Sequence, residues 1–428
     1  MTLVRNRRTT LVAGGLGAAM VLAVAATSAN AAPTPAPKAS ATPAAVACAP
    51  QDGISSTQIT LGFVSPKTGP AAANFAGAEQ AARLRIDQEN AKGGIFGRKI
   101  KLIGYDDAGS GSVQASVANK AIQDDKVFGI MLSSSADAMM PYLKQNNVPV
   151  TGFSLLALAT DRNTFGITGP TVPGVVSTAP LERLKQDGVT KVALMSHNTP
   201  GAVNSIKSIA AAVPLAGTGQ TNVLTILDSP QGAHDATSEA LRIKNSGADG
   251  LYTSMYVDGG VSIAQALSQQ GVKLKANYLV GLSDPAQIAK AAGPLAGMIG
   301  STYGTTPAGV AGKPGVRTFV NGMKAAGLNP YTAIAPVGFA TTDLMITGLK
   351  LAGKCPTRQV FINNLRKVKN YTANGLLPVA TSFGPGVTAL GSPSKCTWFL
   401  TVKNGVPVPD KKVTCGKLVD TINNKVVG

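Results

Sequence analysis

The stretch Gln58–Asp107, QITLGFVSPKTGPAAANFAGAEQAARLRIDQENAKGGIFGRKIKLIGYDD, decides the fold. Ile59, Leu61 and Val64 supply a short apolar strand with Gly62 inside it. Ser65-Pro66-Lys67-Thr68-Gly69-Pro70 then breaks the strand. From Ala71 to Glu89 most residues are good helix formers. Asn90-Ala91-Lys92-Gly93-Gly94 ends that helix, because paired glycines accept the left-handed cap more readily than another turn. Ile100, Leu102 and Ile103 form the next strand, which stops at Tyr105-Asp106-Asp107. Two strands joined by a helix of this length make a parallel βαβ unit with a right-handed crossover. The loop after its first strand lies at the carboxyl edge of the sheet, where open α/β folds bind ligands.

The alternation continues outward from this unit. Helix is expected over Val113–Asp124, a buried strand over Val127–Leu132, helix over Ala136–Gln145 and a fourth strand over Val148–Gly152. Near-continuous apolar strands point to a parallel sheet covered on both faces. The rhythm restarts after the Gly/Pro/Thr-rich seam Gly166–Gly174. Helices are expected over Gly174–Asp187, Ala202–Val213, Ala236–Ser246 and Val261–Gln270, and strands over Lys191–Met195, Val223–Leu227, Gly250–Met255 and Tyr278–Val280. After Gly300 come three helical stretches, Val316–Ala326, Ala333–Leu351 and Thr357–Val368. A short-strand region follows, with Thr397–Val402 its best strand and Asn404-Gly405 a hairpin turn.

The 428 residues suffice for one large two-lobed body or two ordinary domains. Leu11–Ala26 is apolar, follows Arg5, Arg7 and Arg8, and leads to Ala29-Asn30-Ala31. That is the pattern of a secretory leader, with cleavage expected after Ala31. Arg7-Arg8-Thr9-Thr10-Leu11 matches a twin-arginine signal only loosely. Residues 32–56 read as an Ala/Pro-rich linker leaning to polyproline II. It separates Cys48 from the apolar run, against a lipid anchor, so an exported soluble protein, periplasmic or extracellular, is expected.

Four cysteines in an exported chain suggest two disulfides with three possible connectivities. Cys355–Cys396 with Cys48–Cys415 is the favoured pairing, the second tying the N-terminal extension to the C-terminal segment. Removing Arg5, Arg7 and Arg8 with the leader lowers the formal charge from +18 to +15. The basic residues are scattered singly or in pairs, and only 5% of residues are aromatic, so no nucleic-acid face is expected.

Little in the chain suits catalysis. It has two histidines, His197 and His234, and no G-x-S-x-G elbow. Gly348 to Cys355 nearly spells a phosphate-binding loop, but Cys stands in place of the Ser/Thr that would hold Mg²⁺, and the motif closes a helix. Asp106 and Asp107 are adjacent at a strand end and point to opposite faces, so a turn and a helix cap explain them better than a paired acid and base. No catalytic residue, metal or cofactor is expected.

Strand ends are the better candidates. Ser133, Ser134 and Ser135 lie between a buried strand and a helix start, where free amides and hydroxyls suit an anion, although an ordinary Ser N-cap is the plainer reading. Phe153 and Ser154 end the fourth strand. His197, Tyr256 and Ser283 occupy equivalent ends in the second half.

TGP after the first strand, the helix ending QENAKGGIFGRKI, the second strand into YDD and the later ANKAIQDDKVFGIMLSSS resemble the type I periplasmic binding proteins. The branch resembled is that of the leucine/isoleucine/valine-binding protein, the receptor of an ABC importer. The resemblance implies an α/β fold of two Rossmann-like lobes with parallel sheets joined by a three-strand hinge. Lobe 1 would hold residues 57–172 and 306–376, lobe 2 residues 173–305 and 377–428, with the last crossing near Gly375. A small solute would bind between the lobes, and the closed form, a monomer, would meet a membrane permease. The resemblance places a ligand's carboxylate at Ser133 and Ser134 and an aromatic contact at Tyr256; the loop Thr68–Phe75 is expected to face the same cleft, with Asn74 and Phe75 as its contacts. Phe153, Ser154, His197 and Ser283 complete the expected ligand set.

The amino-acid binders carry a hydroxyl after the fourth strand and an acid in lobe 2. Leu155, Leu156 and Leu282 stand near those places here; Asp258 and Asp284 are candidates to replace the acid, but neither aligns cleanly with it. An unpaired buried ammonium is costly, which points to a less polar or larger solute. The alternatives left open are a ligand sensor on the same fold, an envelope-associated hydrolase, and a basic envelope-binding structural protein without a small ligand.

Overall fold

The computed structural model describes residues 48–154 and 160–428. The expected leader with its cleavage after Ala31, the linker up to Ala47, and Leu155 and Leu156 lie outside the described residues.

Five strands, β1 (Gln58–Ser65), β2 (Lys99–Asp106), β3 (Ile130–Ser134), β4 (Val150–Ser154) and β5 (Thr164–Gly166), form an all-parallel sheet in the order β2-β1-β3-β4-β5. The opening unit forms as read, in register from Gln58↔Lys99 to Ser65↔Asp106. Its helix is split into Ala72–Phe75 and Ala78–Ala91, because Gly77 between them takes a left-handed φ of +94°. One face of the sheet is covered by a cluster that includes Phe63, Ile86, Phe319 and Leu344, the other by one that includes Val64, Ile122 and Leu143. The helix Ala335–Ala352 returns to this sheet from late in the chain. It packs so closely on Ala78–Ala91 that a Cβ on Gly338 would lie 2.1 Å from the Ala78 carbonyl oxygen.

The second half adds β6 (Val175–Ser177), β7 (Lys191–His197), β8 (Thr221–Ser229), β9 (Gly250–Ser254), β10 (Ala276–Val280) and β11 (Ile299–Ser301). Late in the chain follow β12 (Cys396–Thr397), β13 (Phe399–Lys403), β14 (Val406–Pro409), β15 (Thr414–Cys415) and β16 (Leu418–Asp420). The main sheet runs β14-β13-β11-β10-β9-β7-β8, parallel from β8 to β11 and finished by the antiparallel β13–β14 hairpin. Asn404 and Gly405 make the turn with φ of +51° and +74°, as the sequence requires. The stretch Gly174–Asp187, expected to be all helix, begins instead as β6, paired antiparallel with β16, and its helix is Ala179–Gln186. Val175-Val176 are β-branched and prefer the extended state, and Pro180 sits in the helix's first turn, where its missing N–H costs nothing.

The chain passes between the two sheets after β5, after β11, and between Phe383, which packs in the first lobe's cluster, and β12. These passages touch. The Ser394 amide donates to the Thr168 carbonyl at 2.9 Å. Cβ atoms on Gly304 and Gly169 would meet Thr168 Cγ2 at 2.2 Å and the Ser392 carbonyl oxygen at 2.1 Å. Glycine is what lets the crossing segments lie side by side.

The disulfides are Cys48–Cys355 and Cys396–Cys415, not the pairing expected from the sequence. Cys396 and Cys415 are direct cross-strand partners of β12 and β15, with Cα atoms 3.9 Å apart. Cys48 lies beside the end of the helix Ala335–Ala352, and the nearby Gln51 side chain accepts from the Arg358 amide at 3.1 Å. The near phosphate loop is thus the end of that helix, and its Cys355 is a structural half-cystine.

Candidate functional site: the cleft between the lobes

The carboxyl ends of the first sheet are built around two aspartates. Asp106 Oδ1 accepts from the amides of Lys67 at 2.8 Å and Ala108 at 2.8 Å, and Oδ2 accepts from Thr68 Oγ1 at 2.6 Å. Burial works against this carboxylate, but the bonds from the Thr68 hydroxyl and these amides outweigh it and hold its pKa at about 2. Asp107 Oδ1 accepts from the Gly109 amide at 3.1 Å, and Oδ2 from Gln114 Nε2 at 2.9 Å and from Ser134 Oγ. The pair fixes the Thr68–Gly69–Pro70 loop and the following helix start.

This leaves Ser134 satisfied, since its hydroxyl also accepts from the Ala136 amide. Ser133, its neighbour, is fully buried, and its Oγ has no hydrogen-bond partner among the described residues. Asn74 Nδ2, on the loop helix Ala72–Phe75, is likewise buried and unpartnered. Phe75 is buried in the first lobe's cluster. Phe153 lies opposite Ser133 in the β3–β4 register, and Ser154 opposite Ser134; the Ser154 side chain lies outside the description.

The second lobe reaches across. Tyr256 follows β9 at the start of the helix Val257–Gln269, yet its ring packs in the first lobe's cluster, only 4% exposed. Burial raises the Tyr256 pKa, and the neighbouring Ser135 side chain, two residues beyond Ser133, works against that rise. The His197 ring stands 4.5 Å from that of Tyr256, and its Nδ1 accepts from the Tyr256 amide at 3.4 Å. Burial pushes the His197 pKa down to about 4, although Asp258 pulls the other way, so the imidazole is neutral at pH 7.

Ser135, His197 and Tyr256 therefore come together, and Phe75 shares the first lobe's cluster with the Tyr256 ring. Phe153 meets Tyr303, which follows β11, with ring centroids 5.3 Å apart. Ser283 is held elsewhere along the seam, donating to the Tyr331 carbonyl at 2.8 Å, and Asp284 beside it accepts from Asn329 Nδ2 at 2.9 Å. Leu282 does not face the cleft: it is fully buried in the core of the second lobe. Tyr303, Tyr331 and Asn329 were missed from the sequence. Tyr303 obeys the strand-end rule, but its three-residue strand is too short to show a period.

A family model described as periplasmic binding protein matches residues 58–407. The chain belongs to the periplasmic binding protein family. Among curated relatives, it is 29% identical to the Leu/Ile/Val-binding protein BraC3 of Rhizobium johnstonii over 219 residues, 49% of this chain and 58% of that protein. It is 24% identical to a Leu/Ile/Val-binding protein homolog of Brucella melitensis over 304 residues, 69% of this chain and 79% of the relative. Among solved structures, a branched-chain amino acid ABC transporter protein of Thermus thermophilus with bound valine superposes with a TM-score of 0.70 at 18% identity, covering 84% of this chain and 97% of that one. A solute-binding protein of R. palustris in complex with benzoate gives a TM-score of 0.68 at 15% identity, again over 84% and 97%. At these identities the superpositions establish the fold of two α/β lobes with parallel sheets. In this periplasmic binding protein the seam described above lies where the strand ends of both lobes meet.

Proposed function

We propose that the protein is the extracytoplasmic substrate-binding component of an ABC importer, which closes on a small solute and presents the closed form to a membrane permease. One observation carries the reading: Tyr256, from the second lobe, packs its ring in the first lobe's cluster, and that lobe's strand end and first loop hold a buried Ser133 hydroxyl and Asn74 amide that no described group satisfies. Buried polar atoms are nearly always paired, so two orphans at the carboxyl end of the first sheet suit a missing ligand. Family membership supports the same reading.

Asn74, Phe75, Ser133, Phe153, Ser154, His197, Tyr256 and Ser283 form the proposed ligand set, while the Ser134 hydroxyl is taken up by Asp107 and the Ala136 amide. Lobe 1 comprises residues 57–172 and 306–376, and lobe 2 residues 173–305 and 377–428; the packing of Leu377 and Phe383 against the first sheet favours moving the last crossing beyond Phe383. The working form is a soluble monomer without a lipid anchor, and the protein is not an enzyme.

A thermal-shift screen of the exported form against amino acids, amides, aromatic and aliphatic acids and polyols tests this. A ligand of the native state raises stability by about 2.7 kcal/mol at a hundred times its Kd. One clear hit whose shift is abolished in Tyr256→Ala supports the reading, and a flat profile across all classes counts against it.

A further inference from the structure

Charge is spread unevenly along the chain. Residues 48–305 hold twenty Lys and Arg against eighteen Asp and Glu, whereas residues 306–428 hold fifteen against three, Asp343, Asp410 and Asp420. All three of those acids are engaged. Asp343 pairs with Arg85 at 2.8 Å and Asp410 with Arg183 at 2.8 Å, both partners coming from earlier in the chain. Asp420 accepts from Asn423 Nδ2 at 2.7 Å and from the amides of Ile422 and Asn423. The late cations are therefore left largely without counter-charge.

Folding gathers several of them around Trp398, the chain's one tryptophan. The indole is 9% exposed, and its Nε1 donates to the Asp410 carbonyl at 2.9 Å, so the turn bearing Lys411 and Lys412 starts beside the ring. Lys313 comes from the other lobe, at the start of the helix Pro314–Ala325, and its Nζ stands 6.0 Å from the indole centroid. Arg317 follows one turn along that helix. Beyond the turn, Cys415 of β15 is bonded to Cys396 of β12, and the Gly416 amide donates to the Lys395 carbonyl at 2.8 Å, so Lys395 and Lys417 flank the same clasp. Lys313 is half-buried, and the other five cations are exposed. None of the six has an ion-pair partner among the described residues.

Like charges held together repel one another, and an anionic partner relieves that repulsion. Cations on a turn and on a clasped strand pair suit an extended anionic surface better than a single small anion, which needs converging donors. The ring at the centre of the patch is buried, so the contact is electrostatic and no aromatic side chain enters the partner.

We propose that this face, formed by Lys313, Arg317, Lys395, Lys411, Lys412 and Lys417, holds the protein reversibly against an anionic lipid surface. Each Lys or Arg near such a surface is worth roughly fivefold in partitioning. The docking needs no solute and stands independently of the cleft; in a receptor it keeps the protein at the membrane that carries the permease.

Co-sedimentation of the exported form with lipid vesicles tests it. The vesicles are phosphatidylcholine alone, or phosphatidylcholine with about one third phosphatidylglycerol, at about 0.1 M and about 0.5 M salt. Binding is expected only to the mixed vesicles, and only at the lower salt. Lys411→Gln with Lys412→Gln is expected to weaken it about 25-fold, and Lys395→Gln with Lys417→Gln by a similar factor, so either pair serves if the other does not fold. Lys101→Gln with Lys126→Gln removes the same charge from the first lobe, Lys101 lying on the sheet edge opposite β5, and is expected to change binding less than about threefold. Equal weakening by this control pair overturns the proposal, because net charge rather than this face would then drive binding. Equal binding to neutral vesicles, or none to mixed ones, also overturns it, as does binding of soluble poly-L-glutamate without binding to vesicles. The thermal-shift screen reads the cleft separately from all of these outcomes.

Discussion

Replacing Ser133 by alanine separates a ligand contact from a structural one. Ser133 is fully buried and its Oγ has no hydrogen-bond partner among the described residues. An unsatisfied buried hydroxyl costs about 1–3 kcal/mol. Alanine removes that cost and leaves almost the same shape, since β3 and its pairing with β4 use the backbone of residue 133. The ligand-free variant is therefore expected to be as stable as the parent or more stable, by up to about 3 kcal/mol. For a body of this size that is about 1–4 °C in Tm. The same change deletes a hydrogen bond to the solute, worth about 0.5–1.5 kcal/mol, or a roughly 2–13-fold weaker Kd. Scanning calorimetry of ligand-free protein and titration with the screened solute read the two effects. A variant that melts lower yet binds the solute unchanged refutes the reasoning and makes Ser133 a structural residue.

Other outcomes follow from the same structure. His197 keeps its folded pKa near 4 against an ordinary 6.5, so the unfolded chain takes up the proton first as pH falls. Its contribution, up to about 3 kcal/mol, is present above pH 6.5 and is lost between pH 6.5 and 4; His197→Asn is expected to flatten that part of the urea-denaturation pH profile, and an unchanged slope contradicts it. The buried Arg366 guanidinium donates to the carbonyls of Asp161 at 2.9 Å, Arg162 at 3.0 Å, Leu390 at 3.1 Å and Phe383 at 3.3 Å, and to that of Thr164, joining the segments that enter two of the crossings. Arg366→Met strands these acceptors and is expected to cost about 3–5 kcal/mol by chemical denaturation; a loss below about 1 kcal/mol refutes that role. Peptide mapping of the exported protein without reduction is expected to recover Cys48 linked to Cys355 and Cys396 linked to Cys415, and any other linkage or four free thiols contradicts the observed pairing.

What was legible depended on how local the signal was. The βαβ unit from Gln58 to Asp107 is set by strand apolarity, a breaking loop and a Gly-Gly cap, all visible within fifty residues, and it forms as read. Asn404-Gly405 needs two positive φ angles and gets them. The disulfide pairing was not legible, because the partner of Cys396 is set by the register of two-residue strands that spacing does not reveal. Leu282 was misplaced because the direction of a side chain at a strand end depends on where the strand stops: Leu282 turns into the core, while Ser283 faces Tyr331. Ser133 and Ser134 looked equivalent in sequence. Their difference lies in Asp107 and Gln114, which draw Ser134 into a cap network and leave its neighbour without a partner among the described residues.

The central claim is that the two lobes close over a small solute, and small-angle X-ray scattering with and without that solute tests it most directly. A receptor of this kind is expected to be more open without ligand and to contract on binding, with the bound profile matching the closed arrangement in which Tyr256 enters the first lobe. The Tyr256→Ala variant is expected to contract less at the same solute concentration. A profile identical with and without a solute that binds by calorimetry would contradict the account.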